Sequence, residues 1–126
     1  MTKAERARVA QALADAERGT TGRIAVRVIG HDTHDAFEHA KREFERQGMH
    51  RHEHGNAALI LVAPKSRKFA VIGDAALHER VGDAFWQRTV DEMRDRFAQG
   101  AVADGIVAGI ERIGEAFHAH FTHGNA

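Results

Sequence analysis

With 126 residues, 43% of them hydrophobic and 29% charged, the chain can bury one core but not two, and it is too apolar to stay disordered. Its 18 Lys and Arg balance 18 Asp and Glu, which removes the uniform positive field that nucleic acid or an anionic membrane selects. The absence of cysteine excludes disulfides and thiolate metal or redox sites.

Thr2 and Glu5 have capping-box spacing, and Val9, Leu13 and Ala16 follow on one helical face. Gly19 to Gly22 breaks that helix. Arg23 to Ile29 is β-branched and nearly alternating, a strand with Arg23 and Arg27 on the face of Ala25 and Ile29. Asp32 or Thr33 is placed to cap a second helix with Phe37, Ala40 and Phe44 inward, and Gly48 stops it. Ala57 to Ala63 is apolar throughout, which predicts a central strand buried on both faces with helices above and below. Pro64 to Arg67 is turn chemistry, and Phe69 to Ile72 returns as the second arm of a hairpin ending at Gly73-Asp74.

After a short segment, Gly82-Asp83 opens a helix with Trp86, Val90, Met93 and Phe97 on one stripe, ended by Gly100. A last helix carries Val102, Ile106, Ile110, Ile113, Phe117 and Phe121, with Gly105 and Gly109 permitting close approach to a neighbour. The expectation is an α/β domain over residues 1–122, a mixed central sheet between helices on both faces, with a frayed tail over 123–126. No run reaches the ~20 apolar residues of a bilayer span, and no signal-like apolar stretch follows a basic start. The chain therefore reads as cytoplasmic, without direct membrane insertion.

Two constellations carry possible chemistry. Six of the ten histidines fall between His31 and His54, and His50, His52 and His54 alternate in a stretch that a loop can converge on zinc or nickel. A second group is His118, His120 and His123. Solvated loop and helix-end positions explain both groups equally, and no His-Glu-x-x-His is present. The carboxylates are better placed: Asp74 follows a strand directly, Asp83 opens the Trp helix, and Asp104 lies in the first turn of the last helix. If those ends converge, hard oxygen ligands suit calcium or magnesium, whereas capping explains Asp83 and Asp104 without any ligand. Thr20, Thr21, Gly22 and Asn56 add hydroxyl and amide groups in loops. There is no glycine-rich phosphate loop and no Gly-x-Ser-x-Gly, so catalytic residues stay unassigned.

Gly48-Met49-His50, the run from Asn56 to Asp74, Val81 to Trp86, Met93, Phe97 and Asp104 to Ile110 together resemble the TPM domain family, and Thr21 to Ile24 fits as well. The resemblance implies a sheet sandwiched between helices and a place in the short bacterial branch. Family members have been linked to photosystem repair, acid phosphatase activity, divalent-cation binding at an acidic cleft, and auxiliary roles beside membrane proteins. Two departures bear on this: Arg23 stands where the family often has Glu, and Ala75 and Ala76 where it often has Gly. A guanidinium removes one possible ligand and repels a nearby cation, or holds a phosphate instead. Three functions follow as expectations. The first is a non-enzymatic accessory module with a divalent-cation or partner site at the sheet edge, the partner being a membrane-associated protein. The second is a metal-assisted phosphatase, and the third a histidine-based binder of zinc or nickel.

Overall fold

The segment Ala57–Ala63 forms a strand (β2) buried at every position, and the rest of the fold is arranged around it. The computed structural model describes residues 1–123. Seven elements surround and include β2: α1 (Lys3–Glu17), β1 (Arg23–Val28), α2 (Ala36–Arg46), β2, β3 (Lys68–Gly73), α3 (Ala75–Ala98) and α4 (Val102–His120). Strand order is β1-β2-β3; β1 runs parallel to β2, with Arg23 opposite Ala57, and β3 antiparallel, with Ala58 opposite Gly73. This is the predicted mixed sheet with its hairpin.

Alternation along β2 divides its side chains between two cores. Ala58, Ile60 and Val62 meet α1, α3 and α4, including Leu77, Met93, Ile106, Ile110 and Phe117. Ala57, Leu59, Leu61 and Ala63 meet α2 through Ala36, Ala40 and Phe44. Helices therefore cover both faces, three on one side and one on the other. Thr2 caps α1 with a complete capping box: its Oγ1 accepts from the Glu5 N–H at 3.0 Å, and Glu5 Oε1 accepts from the Thr2 N–H at 2.7 Å.

Several local expectations are corrected. The cap of α2 is Asp35, whose carboxylate accepts from the Glu38 N–H at 3.1 Å; the Thr33 N–H is instead committed to Ser66 Oγ at 2.8 Å. Phe37 is 53% exposed beneath the Lys41 ammonium. The inward stripe of α2 centres on Ala40, and Phe37 lies about 60° to one side of it. Glu43 takes an inward place although it is charged, and is 5% exposed. In α3 the buried position is Thr89, not Val90, and the Thr89 hydroxyl donates to the Phe85 carbonyl at 2.9 Å. The segment after Asp74 is itself helical; α3 kinks at Gly82, whose φ of 74° and ψ of 172° suit glycine alone. Near the C-terminus, Thr122 bridges Thr20 and the His123 N–H donates to Gly19 O at 3.0 Å, so the start of the expected tail is tied down. Residues 124–126 of that tail lie outside the described residues.

Close helix packing rests on glycine, as expected at Gly105 and Gly109, which face Phe97 and Met93. At Gly114 a Cβ would lie 2.8 Å from Ala16 Cβ and 3.0 Å from its Cα, so the backbone of α1 stands in the way. Gly114→Val should therefore cost about 1–3 kcal/mol by urea denaturation, through separation of α1 from α4. Glu43 offers a second test. The Gln47 amide donates to its carboxylate at 2.9 Å, and with Arg46 and Arg27 nearby it is held below the usual carboxylate range. Its stabilisation is therefore present above the ordinary Glu pKa and lost as pH falls through the lowered folded value. Glu43→Ala should cost about 1–3 kcal/mol at neutral pH and progressively less toward acid, giving a shallower loss of stability with falling pH than the parent shows.

Candidate functional site

The end of the sheet where β1 and β2 begin and β3 finishes gathers the polar residues that the core does not need. Asp74 follows β3 in extended conformation; its N–H continues the ladder to Ala57 O at 2.9 Å, and its Oδ1 accepts from the Ala75 N–H at 2.9 Å, capping α3. Its other oxygen, Oδ2, is buried without a hydrogen-bond partner among the described residues. Asn56, fully buried, donates from Nδ2 to Thr21 Oγ1 at 3.0 Å, while its Oδ1 is also buried and unpartnered. Strand alternation sends Asn56 toward the three-helix layer and Asp74 toward the α2 side, so the two bare oxygens flank the end of β2. An unpaired buried acceptor costs about 1–3 kcal/mol, and two on neighbouring strand ends call for a donor or a cation.

Two aromatic rings wall this end. A Cβ at Gly73 would strike the Trp86 indole, and one at Gly22 would strike the Phe117 ring. Glycine at both strand ends lets α3 and α4 close over the sheet. Trp86, expected in the core, is only partly buried, and its Nε1–H donates to His78 Nδ1 at 3.0 Å. His78 Nε2 in turn lies 3.4 Å from Asp83 Oδ1, which bridges the kink at Gly82. Nothing in the segment Ala75–Val81 singled out His78 beforehand; its signal was the four-residue spacing from Asp74, one helical turn.

The predicted carboxylates do not meet. Asp83 has a 98% exposed side chain and faces His78. Asp104 pairs with Arg8 at 2.7 Å at the opposite end of the molecule. Gly73 packs on Trp86 and Gly105 on Phe97, and those rings are eleven residues apart on α3, about 16 Å. Nor do the histidines assemble. His50 and His54 are exposed, whereas the His52 ring donates from Nε2 to Thr21 O at 2.9 Å and lies with its centroid 6.1 Å from that of His54. Among the described residues no three His, Asp or Glu side chains are gathered for a metal ion. Arg23, exposed opposite Ala57, forms no ion pair among the described residues and stands two strands from Asp74, about 10 Å.

The parallel pair β1-β2 begins at this end, so the crevice beyond the carboxyl ends of parallel strands lies at the other. Asp74 owes its position to the antiparallel β3 alone.

The sequence profile of the TPM domain matches residues 1–116. The chain belongs to the TPM domain family. Among solved structures it is similar to the BA42 protein of the psychrophilic bacterium Bizionia argentinensis, with 30% identity, a TM-score of 0.88, and coverage of 100% of this chain and 88% of that one. The N-terminal domain of the cg2496 protein from Corynebacterium glutamicum shares the fold at 17% identity and a TM-score of 0.74, over 93% of this chain and 74% of that one. So does the N-terminal domain of a P. gingivalis protein, at 15% identity and a TM-score of 0.80, over 94% and 77% respectively. No curated protein matches the chain. As a TPM domain it is an α/β fold, and among its described residues no helix is long and apolar enough to cross a membrane.

The hydrogen bonds at this end fix two ring tautomers. A carbonyl accepts only, so neutral His52 carries its proton on Nε2; His78 Nδ1 accepts from an indole, so neutral His78 does the same. Long-range 1H–15N spectra at alkaline pH should show the Nε2–H form for both rings, and Trp86→Phe should release His78 to a mixture of tautomers while leaving His52 unchanged.

Proposed function

We propose that this TPM domain is a non-enzymatic accessory module whose Asp74 end binds a hard divalent cation, calcium or magnesium. The observation that supports this is the bare, buried Asp74 Oδ2, an anionic acceptor without a donor. Asn56 Oδ1 is the second bare oxygen at this end but lies on the opposite face of the sheet, so water supplies the rest of the shell. One carboxylate with neutral partners makes a weak site, with a dissociation constant on the order of 10⁻⁴–10⁻³ M. Arg23, about 10 Å off, is mostly screened at physiological salt, so the departure from Glu weakens the site without abolishing it.

A phosphatase needs an activated nucleophile or water beside the ion. The Thr21 hydroxyl donates to Phe121 O at 3.3 Å while accepting from Asn56, and His52 is turned onto Thr21 O. These commitments favour the accessory reading over the phosphatase. The His52 and His54 rings are neighbours, but His52 is committed to Thr21 O and among the described residues no third ligand joins them, which favours oxygen ligands over a zinc or nickel site. The partner in this reading is a membrane-associated protein, the class that the family resemblance implies, meeting a face ordered by the cation.

Calorimetric titration with calcium and magnesium should give one weak site. Asp74→Asn keeps the helix cap and volume but removes the charge, and should weaken binding roughly tenfold or more. A His52→Ala/His54→Ala double variant should leave it intact, and phosphatase assays from acidic to neutral pH should show no turnover above buffer. Heat from neither cation, or heat unaffected by Asp74→Asn, would overturn the proposal.

A further inference from the structure

The opposite end of the sheet, beyond the carboxyl end of β2, holds a cavity of about 530 Å³ between the hairpin turn, the end of α3 and the start of α4. Its floor is apolar: Val62, Phe69, Phe97 and Val102. Its rim carries two guanidinium groups, Arg67 and Arg94, while Lys68, opposite Ala63, turns its ammonium to the α2 face; among the described residues no acidic side chain lines it. The size falls in the range of small-molecule sites, and the position is where open α/β sheets hold ligands.

The cations differ in how they are held. Lys68 Nζ donates to His34 O at 2.7 Å, and the Arg94 guanidinium sits 5.7 Å over the Phe69 ring while touching Asp91 at 3.3 Å. Arg67 has no side-chain hydrogen bond or ion pair among the described residues. It is also the one described non-glycine residue with positive φ, at 54°. Glycine or asparagine fits that left-handed turn with less strain, so nothing in the backbone asks for arginine there. Strain of this kind concentrates where a side chain is wanted for binding. α4 adds its positive end, since Ala101 supplies no side-chain cap and Val102 lines the cavity; the nearby Asp104 charge is taken up by Arg8.

We infer that this cavity binds an amphipathic anion, a single acyl chain with a carboxylate or phosphate head. The head is clamped by Arg67 with Arg94 beside it, and the chain lies on Phe69, Phe97 and Val62. A guanidinium fork matches either head in bidentate fashion, and the apolar floor selects against small inorganic anions.

The test is an 1H–15N titration of the whole chain with octanoate, octyl phosphate, acetate and 1-octanol. Both octyl anions should shift the amides of Val62, Phe69 and Val102 saturably, with acetate and octanol weaker by roughly tenfold or more. The tighter anion identifies the head group. Arg67→Gly relieves the left-handed strain, so it should keep or raise the melting temperature while weakening both octyl anions about fivefold or more. Asp74→Asn should leave octanoate binding unchanged, which separates this site from the cation end. Absence of saturable shifts with both octyl anions, octanol binding as tightly as they do, or unchanged anion binding in Arg67→Gly would each overturn the inference.

Discussion

Burial of β2 on both faces is the constraint on which the structure depends. Seven consecutive apolar residues supply side chains to two separate cores, so neither the three-helix layer nor α2 has a core without the strand. A strand so placed must have every backbone group paired, which is why β1 and β3 flank it on either side. It also pushes all polar chemistry to the strand ends. Asn56 and Asp74 at one end, and Arg67 and Lys68 at the other, stand where the apolar run stops.

The two ends are chemically opposite. One offers buried oxygens without donors, Asn56 on the side of the Trp86 and Phe117 rings and Asp74 on the α2 side; the other offers guanidinium groups above an apolar floor. A formal net charge of zero thus conceals two chemically different strand ends. The glycines at 22 and 73 belong to this arrangement, since any side chain there would lift an aromatic ring off the acceptor end.

Much of the fold was legible in the sequence because hydrophobic period is a strong signal. The unbroken run in β2, the Pro64-to-Arg67 turn, the stripe of α4 and the TPM resemblance all survive in three dimensions. Misread details came from competition that periodicity does not register. Glu43 displaces Phe37 from the α2 stripe because Gln47 and Arg46 satisfy its charge, and Thr89 displaces Val90 because its hydroxyl returns to the carbonyl of the preceding turn. At the candidate site Asp74, Asn56 and Thr21 were readable as strand-end residues. The separation of Asp104 was not, because the direction of α4 relative to the sheet depends on which glycine meets which ring.

The central claim is that Asp74 Oδ2 is bare because it is a ligand for a cation. A crystal structure grown with calcium tests it most directly. The account predicts an ion about 2.3–2.6 Å from Asp74 Oδ2, with water oxygens in the rest of its shell. Calcium found only at exposed carboxylates such as Asp83 or Asp104, with Asp74 Oδ2 hydrogen-bonded to a protein donor, would contradict it.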